Sequence, residues 1–147
     1  MINEIIAAIS AALDAPQPTK AEFGDEYEIY MEEIKQDLKE PCFFVQCINP
    51  TTKLFRGERY FQSNPCCIQY FPKSEEIQRE CNEVAERMTW CLEYITVDGD
   101  PMRGTQMHAE VVDGNLNFFV NYDCFLYRKK VPGEAMETVG VDPRVKG

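Results

Sequence analysis

The chain has 147 residues and a mass of 17.0 kDa, the size of a single domain. Apolar residues make up 44%, charged residues 27% and aromatics 12%, which excludes intrinsic disorder and a coiled-coil rod. The formal net charge of −10 excludes a general binder of phosphate backbones, because such proteins carry a basic footprint.

The N-terminal stretch places Ile2, Ile5, Ile6, Ile9, Ala12 and Leu13 on one helical face. Pro16 and Pro18 end that helix. Its apolar run, Ile5 to Leu13, is interrupted by Ser10 and flanked by Glu4 and Asp14. That is too short for a bilayer span and lacks the basic start of a signal peptide, so a soluble, intracellular product is expected. Tyr27 to Glu32 alternates and is rich in β-formers, predicting an antiparallel strand. Cys42 to Ile48 predicts a stronger strand, buried on both faces.

Asn49-Pro50-Thr51-Thr52 is a turn signal, and Ser63-Asn64-Pro65 is a second one ahead of a strand from Cys66 to Phe71. Between them, Arg56, Arg59, Tyr60 and Phe61 give an extended strand or a projecting arm. Their mixture suits an interface, and equally suits aromatics that cap a core. Ser74 is a predicted N-cap, followed by Glu75 and Glu76 at the positive end of the helix dipole. Ile77, Cys81, Val84, Met88, Cys91 and Ile95 then recur at steps of four and three, one apolar stripe. Glu75–Arg79 and Glu83–Arg87 are pairs four apart on the far side.

Asp98-Gly99-Asp100-Pro101 breaks the chain, and Asp113-Gly114 predicts the tip of a β-hairpin. That register opposes Val112 to Asn115, Val111 to Leu116, Ala109 to Phe118 and Met107 to Val120. It gathers Leu116, Phe118, Val120, Tyr122, Cys124 and Leu126 on a buried face, leaving Gln106, His108, Glu110, Asn117, Asn121 and Asp123 with Phe119 and Phe125 on the other. The expected fold is α+β, a mostly antiparallel sheet with two helices on one face, in the order α-β-β-β-α-β-β. Residues 1–130 form the predicted domain and 131–147 an extended tail, in which Pro132, Gly133, Gly140 and Pro143 follow the basic Arg128, Lys129 and Lys130.

Charge is distributed unevenly along this order. Residues 1–40 carry three basic and ten acidic groups, residues 41–73 four and one, residues 74–100 two and eight, and residues 101–147 six and six. A basic middle between acidic segments suits pairing of unlike faces, within a molecule or between copies.

Convergent reactive groups are scarce. Seven cysteines, an odd number with no C-x-x-C pair and a single histidine, read as buried free thiols, so no metal site and no cofactor is expected. His108 could activate Cys66 or Cys67 as a nucleophile, but a mid-strand histidine on a polar face reads first as structural. No catalytic residue is assigned. The remaining candidate site is an oligomer or partner interface of Arg56, Arg59, Tyr60, Phe61, Lys129 and Lys130.

The MINEIIAAI helix, the EPCFFVQCINP strand and turn, the FRGERYFQSNP arm, the EEIQRECNEVAERM helix and the HAEVVDGNLNFFVNYDCFLY hairpin together resemble a family of small tail proteins. Such proteins are encoded in the tail modules of phages, prophages and phage-tail-like bacteriocins of Gram-positive bacteria. Members are tail terminators. The resemblance implies a structural virion protein, assembled in the host cytoplasm, whose copies form a ring, usually of six. That ring stops polymerisation of the tail tube and presents a surface to the neck. It implies as partners other copies, the tail tube protein, and neck, connector or sheath proteins. DNA would only pass through the lumen, and no membrane is involved. Relative to the family, Pro16 to Lys20 reads as an insertion. On this reading Arg56 and Arg59 meet an acidic helix of the neighbouring subunit. A head–tail connector is the nearest rival, and an acidic mimic of DNA is the rival from another class.

Overall fold

A computed structural model of the protein describes residues 1–14, 27–32, 39–130 and 137–142. Its elements are α1 (Ile2–Asp14), β1 (Glu28–Tyr30), β2 (Cys42–Cys47), β3 (Thr51–Arg56), β4 (Arg59–Phe71), α2 (Ile77–Cys91), β5 (Tyr94–Val97), β6 (Asp100–Val112), β7 (Asn115–Lys130) and β8 (Glu137–Asp142). The eight strands form one sheet in the order β1-β2-β4-β7-β6-β5, with β3 beside β4 and β8 beside β7. The fold is α+β, as expected, with more strands than the sequence signals separated. Pro16 to Lys20 lies outside the described residues.

Two long strands organise everything. β4 pairs with β2 through Cys66–Phe71 and with β3 through Arg59–Ser63. β7 likewise pairs with β6 through Asn115–Tyr122 and with β8 through Phe125–Lys130. Half of the sheet therefore lies under the helices, and the rest continues as a four-stranded arm, β3-β4-β7-β8. The core covers one face only. Leu116, Phe118, Val120, Tyr122, Cys124 and Leu126 are all buried there, the face read from the sequence, against Ile5, Ile9 and Leu13 of α1 and Cys81, Val84, Met88 and Cys91 of α2. The two helices meet where the Cys91 thiol donates to the Ala12 carbonyl at 3.0 Å.

Several local expectations are corrected. β1 pairs with β2 in parallel; the eleven residues 31–41 between them are long enough to return the chain to the start of its neighbour, which a tight antiparallel turn would not do. On one face of β2 Phe43 and Val45 are fully buried; on the other Cys42 is buried, but Phe44 and Gln46 are only half-buried. No turn interrupts β4 at Ser63-Asn64-Pro65. The Pro65 carbonyl accepts from Ile48 N–H at 2.8 Å, so the proline's missing N–H falls where β2 has ended and β3 has not begun, and no ladder bond is lost. The buried Asn64 beside it donates to the Tyr122 carbonyl at 3.1 Å.

α2 starts at Ile77 with Glu76 as its N-cap, and no side chain caps it. Ser74 is a backbone donor instead: its N–H and that of Lys73 donate to the Glu80 carboxylate at 2.9 and 3.1 Å, and the Tyr70 hydroxyl donates a third bond at 2.5 Å. Arg79 pairs with Glu76 at 3.6 Å. The helix ends at Cys91, so Ile95 is buried from β5, whose alternation leads into a hairpin turn with Asp98 and Gly99 both at positive φ. In the β6–β7 hairpin, Val112, Val111 and Ala109 have the expected partners. Met107 does not oppose Val120, because a bulge between Thr105 and His108, with Gln106 at φ 54°, shifts the register by one. Finally, Glu137–Asp142 of the expected tail pairs with β7 as a strand.

Gly104 of β6 closely approaches the end of α2. A Cβ there would lie 2.7 Å from both the Leu92 carbonyl oxygen and Val120 Cγ2, and Gly104 N–H donates to the Glu93 carbonyl at 2.7 Å. The Leu92 carbonyl cannot yield without shifting the end of α2. Gly104→Ala is expected to cost about 1–3 kcal/mol by overpacking, read as a melting temperature lower by roughly 3–10 °C; an unchanged melting curve would show that this contact is loose.

Candidate functional site

The arm gathers the basic middle of the sequence at one end of the sheet. The β3–β4 turn is made by Gly57, at φ 58°, and Glu58, a conformation that favours glycine. A bulge between Leu54 and Arg56 gives β3 one extra residue, Phe55. Its ring packs edge-on to Phe125 at 5.1 Å, and Phe61 meets the same ring edge-on at 5.5 Å. The Arg59 guanidinium lies 5.9 Å from the ring centres of both Phe125 and Tyr127, within cation–π reach. Tyr60 faces the opposite way, where its hydroxyl accepts from Arg128 at 3.2 Å. Lys129 and Lys130 continue β7 opposite Thr138 and Glu137.

The six interface candidates therefore share one end of the fold, although Tyr60 and Phe61 lie on opposite faces of it. Every residue of β3 is exposed. Leu54 and Phe55 show 63% and 56% of their surface, an unusual apolar display at a strand edge. Among the described residues neither Lys53 nor Arg56 forms an ion pair.

A second exposed patch lies where α2 meets β5 and β6. Trp90 is 66% exposed and Tyr94 53% exposed. Arg103 reaches 5.9 Å from the Tyr94 ring centre and 3.9 Å from the Glu93 carboxylate. A groove of about 450 Å³ runs beside Trp90, bounded by Glu93, Arg103, Gln106 and Met107; the αL turn at Gln106 displaces the β6 backbone along its rim. This patch was not singled out from the sequence. Its signal was present, because Trp90 falls opposite the stripe Cys81, Val84, Met88 and Cys91, on the solvent side with the exposed Glu83 and Glu86.

The model of the phage tail terminator protein family matches residues 4–134, most of the chain. The chain belongs to the phage tail terminator family. A comparison with the curated proteins found no match. The matched span takes in α2, nearly all of α1, the β3, β4 and β7 strands of the arm and the β6–β7 hairpin, while β8 lies beyond it, so the exposed residues of both patches fall within the family match of this tail terminator. Membership makes the protein a structural component of phage tails.

In this tail terminator the sheet register keeps His108 away from Cys67. Phe119 of β7 stands opposite Cys67 on one side and opposite His108 on the other. The thiol and the imidazole are thus two strand spacings apart, roughly 10 Å, with the Phe119 ring stacked on His108 at 4.5 Å. Cys66 points to the core face, and its burial pushes its thiol well above the ordinary range. Burial, reinforced by the Glu110 charge, likewise raises Cys67. Thiols held protonated are poor nucleophiles. Among the described residues no group of three or more metal-ligating side chains converges, and no helix is long and apolar enough to cross a membrane.

Proposed function

We propose that copies of this chain join into a closed ring, usually of six in the family, that caps the head-proximal end of the tail tube. Capping stops tube polymerisation and presents a surface to the neck. The observation that carries this reading is the pair of unlike exposed surfaces: a basic arm that displays Leu54 and Phe55, and an α2 face that displays Glu83, Glu86 and an exposed tryptophan. A protomer with two different complementary surfaces associates head to tail, and such contacts close into a ring when the rotation allows. The net charge of −10 supports a conduit role, since an acidic lumen repels passing DNA and keeps it from adhering. The partners are other copies, the tail tube protein, and neck or sheath proteins; the setting is the phage tail or a tail-like particle, built in the host cytoplasm.

Light scattering on the pure protein, alone and with its tube protein, tests this. The expected mass is a defined multiple of 17.0 kDa, present alone or induced by the tube. A 17.0 kDa species at every concentration, with no affinity for the tube, would overturn it.

A further inference from the structure

We infer that the tip of the β3–β4 hairpin of one copy seats in the Trp90 groove of the next, with Lys53 and Arg56 facing Glu83 and Glu86. This rests on the ring reading above and names its contact. The two surfaces match in kind. Leu54 is exposed on the arm, Phe55 leaves over half of its surface exposed beside Phe125, and the groove beside Trp90 and Met107 has room for a large apolar side chain. Around the tip lie Lys53 and Arg56, which outnumber the single Glu58 of the turn. On the outward face of α2, within one and two turns of Trp90, lie Glu86 and Glu83, with the half-buried Arg87 beside them engaged in an interaction of its own. Among the described residues none of Lys53, Arg56, Glu83 and Glu86 forms an ion pair, so each set of charges is available to the other. Arg103 at the far rim is held by Glu93 and Tyr94 and does not oppose the incoming cations.

The occupant is a second copy. β4 and β7 carry the arm as an unbroken continuation of the sheet, so the tip cannot fold back onto its own α2. The same pairing makes the contact heterologous, with arm and groove on different parts of each chain, as ring closure requires. An apolar anchor in a pocket with opposite charges at its margin is the arrangement in which a few residues carry most of the binding energy.

Charge exchange tests the contact. One variant carries Lys53→Glu and Arg56→Glu; the other carries Glu83→Lys and Glu86→Lys. Arg59 is left in place because it packs within the arm's own aromatic cluster. Each variant alone sets like charges together and is expected to self-associate at least ~100-fold more weakly, with wild-type circular dichroism and melting showing that it is folded. Mixed in equal amounts, the two restore assembly, because each arm then meets a groove of opposite charge, and only even-numbered rings close. Restoration by mixing, without restoration in either variant alone, establishes the contact. Rings that persist in both separate variants, or a mixture that stays dissociated, would overturn it while leaving the ring itself standing. A wild-type protein that is monomeric even with its tube would instead remove the ring reading on which this contact depends.

Discussion

Replacing Tyr122 with alanine is expected to cost about 5 kcal/mol, a large part of the roughly 5–15 kcal/mol that stabilises a domain of this kind. Tyr122 is fully buried in the middle of β7. Its hydroxyl donates to the Leu92 carbonyl at 2.6 Å, so it satisfies a backbone group just beyond the end of α2 where no helical partner is available. Truncation removes an aromatic side chain from a packed core, about 3–5 kcal/mol, and leaves that carbonyl without its donor, a further ~1–3 kcal/mol. Tyr122→Phe separates the two contributions: the ring remains and only the hydrogen bond is lost, so about 1–2 kcal/mol is expected. Urea unfolding of both variants reads the difference directly. Equal losses for the two would show that the hydroxyl, and not the ring, holds α2 to the sheet; a loss below about 1 kcal/mol for alanine would contradict the packing described.

The second large effect concerns the other end of α2. Glu80 accepts from the Tyr70 hydroxyl and from the N–H groups of Lys73 and Ser74, binding the last residues of β4, the loop and the first helical turn into one unit. Burial works to raise its carboxyl, but donation from Tyr70, Ser74 and Lys73 outweighs burial and holds it below the ordinary carboxylate value of 4.5. The charge also lies near the positive end of the helix dipole. Glu80→Ala is expected to cost about 2–3 kcal/mol, the sum of several charge-assisted bonds at a partly exposed site. A carboxyl held lower in the folded state than in the unfolded chain adds stability above the unfolded value. That stability is lost as the pH falls through the lower folded value. Wild-type stability should therefore decline below about pH 4.5 more steeply than that of Glu80→Gln, whose amide does not titrate. Parallel acid profiles for the two proteins would exclude this role.

The parts of the fold legible in the sequence are those where one physical signal dominates. The β7 face was legible because Leu116, Phe118, Val120, Tyr122, Cys124 and Leu126 alternate without interruption, and because Asp113-Gly114 sets the register from the tip. α1 was legible because its apolar period is helical and two prolines follow it. What escaped was set by non-local pairing. Pro65 reads as a turn until it is known that β4 changes neighbours at that point. The bulge at Gln106 costs one residue of register and leaves no trace in the alternation further along. Ser74 has the composition of a cap, yet Glu80, a turn inside the helix, takes its N–H instead. Gly104 looks like any strand glycine; only the approach of Leu92 and Val120 reveals why a side chain cannot stand there.

The candidate surfaces divide in the same way. Arg56, Arg59, Tyr60 and Phe61 stand out by composition, and the sheet register collects them with Lys129 and Lys130 at one end of the molecule. The Trp90 groove depends on β5 and β6 closing against the end of α2, an arrangement that helix periodicity alone does not contain. Periodicity does report the exposure: Trp90 falls on the solvent side of an otherwise regular apolar stripe.

The decisive measurement is the length of tails assembled in the absence of this chain, seen by electron microscopy. If the protein works as a ring that closes the tube, its omission yields tubes of uncontrolled length with open ends, and adding it back restores uniform tails, each bearing a ring at one end. Tails of normal, uniform length formed without it would contradict the account.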